Sequence, residues 1–325
     1  MRNFRPRLHG WLHGHSSQLI LLLGMLVIVL LVWIFEPRLN PPPAPPPELP
    51  ITVLGADGEL LRLDIEEFLI GVVAAEMPAS FKREALQAQA IAARSYIVAH
   101  TPPYGAAKHG EAVVCCDSAC CQAYCDEAQQ RAKWGEDYED YRQKIAAAVR
   151  RSAGQILVYQ GQVAQTPYCA VCGGSTEAAG DCWSVDIAYL QAAACGYCEH
   201  APRYTSALVF ELEQAAELLD CRSEELYTMS VDAYSAGGRV AELTLGGRSW
   251  RGTELRAALG LNSAAFAWLI LGGDIVFVCV GHGHGVGLCQ YGADGMAAAG
   301  FSADEIALKY YNSCTLTTIE AMLAQ

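Results

Sequence analysis

Positive charge is scarce in this chain. Its 325 residues hold 22 Lys and Arg against 35 Asp and Glu, a formal net charge of −13. Arg2, Arg5 and Arg7 are the only charged residues before Glu36, so the remainder carries −16, which is −13 less the +3 of those arginines. A surface of that sign repels phosphate backbones, and a nucleic-acid partner is not expected. Internal repeats are also absent, and the expectation for the exported body is one compact core of about 270 residues.

Charge of either sign is missing from residues 19–35, "LILLLGMLVIVLLVWIF". Seventeen apolar residues stand at the short end of what spans a bilayer as a helix. The alternative is a cleaved signal peptide. Its apolar core would be shorter, and a small-x-small cleavage site would follow; Glu36, Pro37 and Arg38 follow instead. The expectation is an uncleaved signal anchor at 19–35, a cytoplasmic tail at 1–18 on the arginine-rich side, and an extracytoplasmic body: a single-pass protein of the cell membrane. Residues 36–50, "EPRLNPPPAPPPELP", lack amide donors at many positions and favour extended polyproline II, a semi-rigid linker.

From residue 51 the pattern is globular. A short strand "ITVL" and a turn at Asp57-Gly58 precede a helix. Asp64 can cap that helix with Glu67 three residues on, a capping-box arrangement. Ile65, Phe68, Leu69, Val72 and Val73 make one apolar stripe, the same step reaches Glu76, and Pro78 ends the helix at Met77. A second helix, 81–100, carries alanine on several faces and predicts close neighbours on more than one side. Residues 101–126 read as a cysteine-dense loop, 137–154 as a helix ended by Gly154, then "QILVY" and "QVAQTPY" as strands. The last third reads mostly as strands, "RVAELTLGG" and "DIVFVCV", with helices at "GTELRAALGL" and after Gly292 and Ser302. The fold class is α+β, with segregated helices and antiparallel strands in one domain over 51–325.

A carboxylate at the end of an apolar stripe is the most informative single residue. Burial and the negative helix terminus both disfavour its charged form, so Glu76 is expected to hold its proton towards neutral pH, as an acid that protonates a glycosidic oxygen must. The bland reading is a surface glutamate at a fraying end. A second constellation is "VGHGHGVGLCQYGADGMAAAG", in which Gly281, Gly283, Gly285 and Gly287 alternate with His282, His284, Val286 and Leu288. So many glycines suggest close backbone approach by a ligand. No third ligand accompanies the His-x-His pair, so binding or orienting roles for His284, Gln290 and Tyr291 are expected rather than a metal site.

"FLIGVVAAEMPASFKREALQAQAIAARSYIVAH" and "GHGHGVGLCQYGADGMAAAGFSADEIALKYYNSCTL" resemble the two signature blocks of the stage II sporulation protein D family, and "CCQAY", "AVRRSAGQILVYQG", "CGGSTEAAGDCW" and "GRSWRGTELRAALGLNS" resemble its intermediate pieces. The resemblance runs from Ile51 to Leu316. It implies a lytic transglycosylase that cuts peptidoglycan glycan strands stripped of stem peptides during sporulation engulfment, together with a partner wall amidase/endopeptidase and a polytopic membrane protein. It also implies Glu76 as catalytic acid/base, Arg94 as a catalytic arginine and Tyr96 as a substrate-binding residue. The C6 hydroxyl of N-acetylmuramic acid would attack C1, so one glutamate suffices to protonate the leaving oxygen and then accept the hydroxyl proton. The alternative for Arg94 is a structural ion pair. Departures from the pattern are Gln87, where many members have lysine, Cys169 and Cys172 around the "GG", and Cys289 in place of serine.

Nine of the fourteen cysteines fall into two groups. Cys115, Cys116, Cys120, Cys121 and Cys125 follow His109; Cys169-x2-Cys172 and Cys195-x2-Cys198 form the second, with Cys182 and His200 nearby. An exported position favours disulfides, whereas CxxC knuckles and Cys-Cys dipeptides suit tetrahedral zinc. The family resemblance implies a metal pattern that falls on His109, Cys115, Cys120 and Cys121. A second zinc site at Cys169, Cys172, Cys195 and Cys198 is the weaker expectation, both sites being structural, with no organic cofactor. A zinc hydrolase of the wall peptide is disfavoured because four protein ligands leave no open position. A wall-binding module or amidase enhancer is the non-enzymatic alternative.

Overall fold

The computed structural model describes residues 48–324 apart from Ser184, together with Gly24 and Met25. The expected cytoplasmic tail, nearly all of the anchor at 19–35, and the linker up to residue 47 lie outside the described residues. Among the described residues no helix is long and apolar enough to cross a membrane.

Strands β1 (Pro50–Leu54) and β2 (Leu60–Asp64) form an antiparallel hairpin. Leu49 and Pro50, counted above with the linker, therefore belong to the folded body. The Asp64 carboxylate accepts from Leu49 N at 3.0 Å and Glu66 N at 2.9 Å, capping helix α1 (Ile65–Glu76). The expected capping box does not close, because Glu67 pairs with Arg142 at 3.0 Å instead. The five stripe residues are buried. Before Pro78, Met77 is extended (φ −121°, ψ 146°), and the helix stops with Glu76 as its last residue.

Helix α2 (Arg83–Val98) lies at the centre of the main core. Ala85, Ala88, Ala90, Ala92 and Ala93 are all fully buried, which lets neighbours close in from several directions. After the short β3 (Val114–Cys115), parallel to β1, comes α3 (Glu127–Trp134), unread in the sequence, and then α4 (Tyr138–Arg151). Strand β4 (Gln155–Tyr159) pairs with the two-residue β5 (Gln162–Val163); of the predicted strand "QVAQTPY" only this start and a separate β6 (Tyr168–Cys169) are extended pairs. The single-turn helix α5 (Ala179–Trp183) follows.

Residues 205–280 depart from the expectation of one core. Here β7 (Thr205–Glu211), α6 (Leu212–Leu218), β8 (Ser230–Tyr234), β9 (Val240–Leu245), β10 (Arg248–Arg251), α7 (Gly252–Leu259), β11 (Phe266–Leu271) and β12 (Asp274–Val280) enclose a second cluster around Leu226, Leu243, Leu255, Ile275 and Phe277. Two antiparallel sheets, β10-β9-β8 and β11-β12-β7, carry it. The chain then returns to the main core through β13 (Leu288–Cys289), α8 (Gln290–Ala298), α9 (Ala303–Tyr310), β14 (Thr315–Thr318) and α10 (Ile319–Leu323). Strand β14 pairs with β4, and β13 pairs in parallel with β6. The architecture is mixed α+β with mainly antiparallel sheets, as expected; the parallel pairs are β1 with β3 and β6 with β13.

Candidate active site

Because the stripe of α1 faces the core, the last residue of that helix is carried inward too. Glu76 is half-buried, its Oε1 accepting from Ala123 N at 2.8 Å and its Oε2 from Gln290 Nε2 at 3.1 Å. Burial pushes its carboxyl above the usual value, opposed by the Ala123 amide, by Gln290 and by the charge of Lys133. Lys133 is held nearby, its Nζ donating to Ala74 O at 2.8 Å.

The glutamate opens on a cleft of about 770 Å³, whose walls include Tyr96, Lys108, Cys120, Cys121, Tyr168, Trp183, His282, His284 and Gln290. Among the described residues lining it, Glu76 is the sole carboxylate.

The glycine-histidine loop delivers Gln290. Gly281, Gly283, Gly285 and Gly287 all have positive φ. A Cβ on Gly287 would run into the Pro167 carbonyl, and one on Gly285 into the Arg239 guanidinium. These glycines thus serve close approach of the loop to its own chain, where ligand approach was expected; Gly283 alone among the four faces the cleft. Seated this way, the loop places β13 beside β6 and starts α8 with Gln290 aimed at Glu76.

His284 Nδ1 accepts from Val286 N at 3.1 Å, which leaves the ring proton on Nε2. Burial lowers this histidine to about 4, opposed by its hydrogen bond to the Tyr168 backbone, so the ring is neutral across the physiological range. The Trp183 ring lies 4.9 Å from it, and that residue, 44% exposed, lines the cleft. Tyr96 Oη accepts from Lys108 Nζ at 3.0 Å, and burial pushes the phenol up to about 12.

Tyr96, His284 and Gln290 therefore meet Glu76 in one cleft. Arg94 and Tyr291 do not. Arg94 is fully buried and spends its guanidinium on Glu66, Nε to Oε1 at 2.8 Å and a second nitrogen to Oε2 at 2.6 Å, with another bond to Gln155 O at 3.2 Å. It forms an ion pair that anchors the first turn of α1, at the far end from Glu76 and outside the cleft, the arrangement of the structural alternative. Tyr291 packs edge-on against Phe81 at 4.9 Å and beside His200 at 5.5 Å, outside the residues that line the cleft. Gln87 lies in a different groove, with Arg83 and Arg151.

Four residues, Gln89, Gln122, Tyr168 and Trp183, were given no individual role by the sequence. Gln89, on the alanine-rich α2, is fully buried with its Oε1 3.5 Å from Gln290 Nε2. Tyr168 donates to Gln122 Oε1 at 3.0 Å and keeps its proton through burial and the nearby Glu76 charge. Trp183 was read only as part of a family block. Nε2 of both Gln89 and Gln122 has no hydrogen-bond partner among the described residues. A lone polar side chain on an otherwise apolar face was the signal available for Gln89.

The cysteines converge on two centres. His109 Nε2 lies 3.5 Å from the sulfurs of both Cys120 and Cys121, and with Cys115 these donor atoms fall within 4.8 Å of one another, so the expected four could hold a metal ion. The second group is Cys172, Cys195, Cys198 and Cys289. Cys169, expected there, instead lines the cleft, and its register partner on β13, Cys289, takes the fourth place. All fourteen cysteines are free thiols in this structure.

An α+β body organised around one half-buried glutamate, with amides and aromatics lining an open cleft, is the class that fold and site define. Residues 58–159 match the stage II sporulation protein family. The chain is 34% identical over 269 residues to stage II sporulation protein D of Bacillus subtilis (strain 168), covering 82% of this chain and 78% of that protein. It is 33% identical over 265 residues to the protein of the same name from Bacillus amyloliquefaciens, covering 81% and 77%. The chain belongs to the stage II sporulation protein D family. A more distant similarity, 25% over 312 residues, links 77% of this chain to 40% of the amidase enhancer of Bacillus subtilis (strain 168).

Proposed function

We propose that this protein is a peptidoglycan lytic transglycosylase, cleaving denuded glycan strands between N-acetylmuramic acid and N-acetylglucosamine to leave 1,6-anhydro ends during sporulation engulfment. The observation that carries the reading is Glu76: a carboxyl whose proton is favoured by burial, alone among carboxylates of the described residues lining a cleft large enough for several sugar rings. Hydrolytic glycosidases need two carboxylates flanking the bond, one to activate water or attack C1. Intramolecular attack by the C6 hydroxyl needs one.

In this mechanism the Glu76 acid protonates the leaving glycosidic oxygen while C1 develops positive charge. The carboxylate so formed is steadied by the Ala123 amide and Gln290, and then accepts the proton of the attacking C6 hydroxyl. Among the residues lining the cleft, Lys108 offers a hydrogen-bond donor to sugar and acetamido groups, and Trp183, beside neutral His284, offers an apolar ring face. Tyr96 and Lys108 close the wall beside the His109 cysteine group. That group's donor set, one imidazole and three sulfurs within 4.8 Å, fits a closed tetrahedral zinc ion, which would supply a structural cross-link for the 109–121 loop.

The same reading places the body outside the cytoplasm, held by the anchor at 19–35, where wall strands, a wall amidase/endopeptidase and a polytopic engulfment protein are its partners. The similarity to an amidase enhancer favours one competing role, a wall-binding module that stimulates an amidase. Digestion of purified glycan strands stripped of their stem peptides with the full-length protein, read by mass spectrometry, separates the two. Products ending in 1,6-anhydro-N-acetylmuramic acid are expected. Reducing ends overturn the transglycosylase assignment in favour of a muramidase, and intact glycan favours the enhancer role.

A further inference from the structure

The cysteine group that the proposed chemistry leaves unused is buried rather than superficial. Cys172 and Cys195 are 2% and 1% exposed, and Cys198 and Cys289 are fully buried. The four come from three separate stretches of chain, yet their sulfurs all lie within 4.8 Å of one another, with Cys172 and Cys198 at 3.6 Å.

We propose that Cys172, Cys195, Cys198 and Cys289 form a four-thiolate site for one structural zinc ion, a centre distinct from the His109 group. Around a tetrahedral zinc with Zn–S of about 2.3 Å, sulfurs stand about 3.8 Å apart, so this cluster reaches ligand geometry by contracting less than about 1 Å. Disulfides bring sulfurs together in pairs at about 2.0 Å and give no reason for four to share one centre. Cysteine as apolar filler gives no reason for convergence from three segments.

The surroundings suit anionic sulfur. Cys289 Sγ accepts from Cys172 N at 3.2 Å and from Gly292 N at 3.3 Å, and Tyr310 Oη lies 3.2 Å from Cys195 Sγ, a donor once that sulfur is a thiolate. Such outer hydrogen bonds orient and tune metal ligands. Backbone room is reserved as well. A Cβ on Gly292 would press on Cys195 Sγ and the Tyr310 hydroxyl, and one on Gly295 on the Tyr197 carbonyl, so the first turns of α8 approach the Cys195–Cys198 knuckle only through glycine.

The location explains the use of a cross-link. Cys195 and Cys198 stand just before the segment 205–280 with its separate core, and Cys289 stands just after it, at the cap of α8. One ion therefore ties the two ends of that segment to the Cys172 turn. It also fixes the residue that precedes Gln290, the partner of Glu76.

Metal analysis of the full-length protein, purified under reducing conditions, tests the site. Two zinc ions per chain are expected, falling to one in Cys198→Ser and in Cys289→Ser. In His109→Ala/Cys121→Ser one zinc should also remain, with an X-ray absorption shell of sulfur alone at about 2.3 Å. Should either serine variant fail to fold, the unsubstituted protein still decides, because its averaged shell must hold more sulfur than the three sulfurs and one nitrogen of the His109 group. Unchanged zinc content in the folded serine variants overturns the proposal. So does iron in place of zinc, or an unreduced mass spectrum with disulfides among these four cysteines.

Discussion

Gln290 Nε2 donates to Glu76 Oε2 across 3.1 Å, joining the first residue of α8 to the last residue of α1 over 214 positions of sequence. The contact works against burial: burial favours the protonated carboxyl, and the amide favours the carboxylate. An acid/base that must hold both states in turn needs these influences near balance.

Gln290→Ala should therefore move Glu76 further up in pKa, not down. The acid form would persist to higher pH, and the alkaline limb of the pH–rate profile should shift upward. The carboxylate needed for the second proton transfer loses a bond to a charged group, worth roughly 1.5–3 kcal/mol, so cleavage should fall about 10- to 100-fold. A rate loss with an unmoved alkaline limb would show that Gln290 acts on substrate alone.

Arg94 predicts a different pattern. Replacing it by leucine leaves Glu66 facing the space of a lost guanidinium, and breaking a buried pair from one side costs about 3–5 kcal/mol. Denaturant unfolding should show that loss, while the pH optimum of the surviving activity stays where it was. A shifted optimum would bring Arg94 back towards the chemistry.

Trp183 is the exposed aromatic of the cleft, braced by the His284 ring at 4.9 Å. Aromatic contacts contribute about 0.5–1.5 kcal/mol beyond simple burial, so Trp183→Ala should raise KM for glycan strands about 2- to 10-fold with little change in kcat. Unchanged KM would remove Trp183 from the sugar path.

What the sequence disclosed and what it concealed divide along range. Glu76, its apolar stripe and the stop at Pro78 are local facts, set by 3.6-residue periodicity and by the conformation a proline imposes on its predecessor. The His109 group spans 13 residues of one loop, so its clustering was visible, while the choice of its four members came from the family resemblance. Arg94 with Glu66, and Cys289 with Cys172, are decided by helix packing and by the parallel β6–β13 pairing, which no periodicity encodes. The second core escaped for a related reason: an alternating strand states that one face is buried, not which core receives it. Similarly, the loop glycines advertised close approach without saying that the approaching group would be Pro167 and Arg239.

Glu76→Gln is the decisive substitution, and the site is built to accept it. The new side chain can still accept from Ala123 N through its remaining oxygen. Its amide nitrogen would face the Gln290 amide as donor against donor, but Gln290 can turn over, and Gln89, whose Nε2 has no partner among the described residues, can turn with it. Folding and glycan binding should survive, while cleavage falls by at least the 100- to 10,000-fold of a general acid–base group, because in the proposed mechanism one residue makes both transfers. Stability carries a second signature. The folded-state carboxyl lies above its ordinary 4.5, so the folded protein holds this proton more tightly than the unfolded chain. The resulting stabilisation is complete below about 4.5 and is lost as pH rises through the folded value. Glu76→Gln should remove that loss and flatten the unfolding free energy across the same window. Denaturant titrations at stepped pH measure it alongside cleavage. Normal cleavage of denuded strands by this variant would end the enzymatic reading of α1, and an unaltered pH slope would show that the buried proton is not held at Glu76.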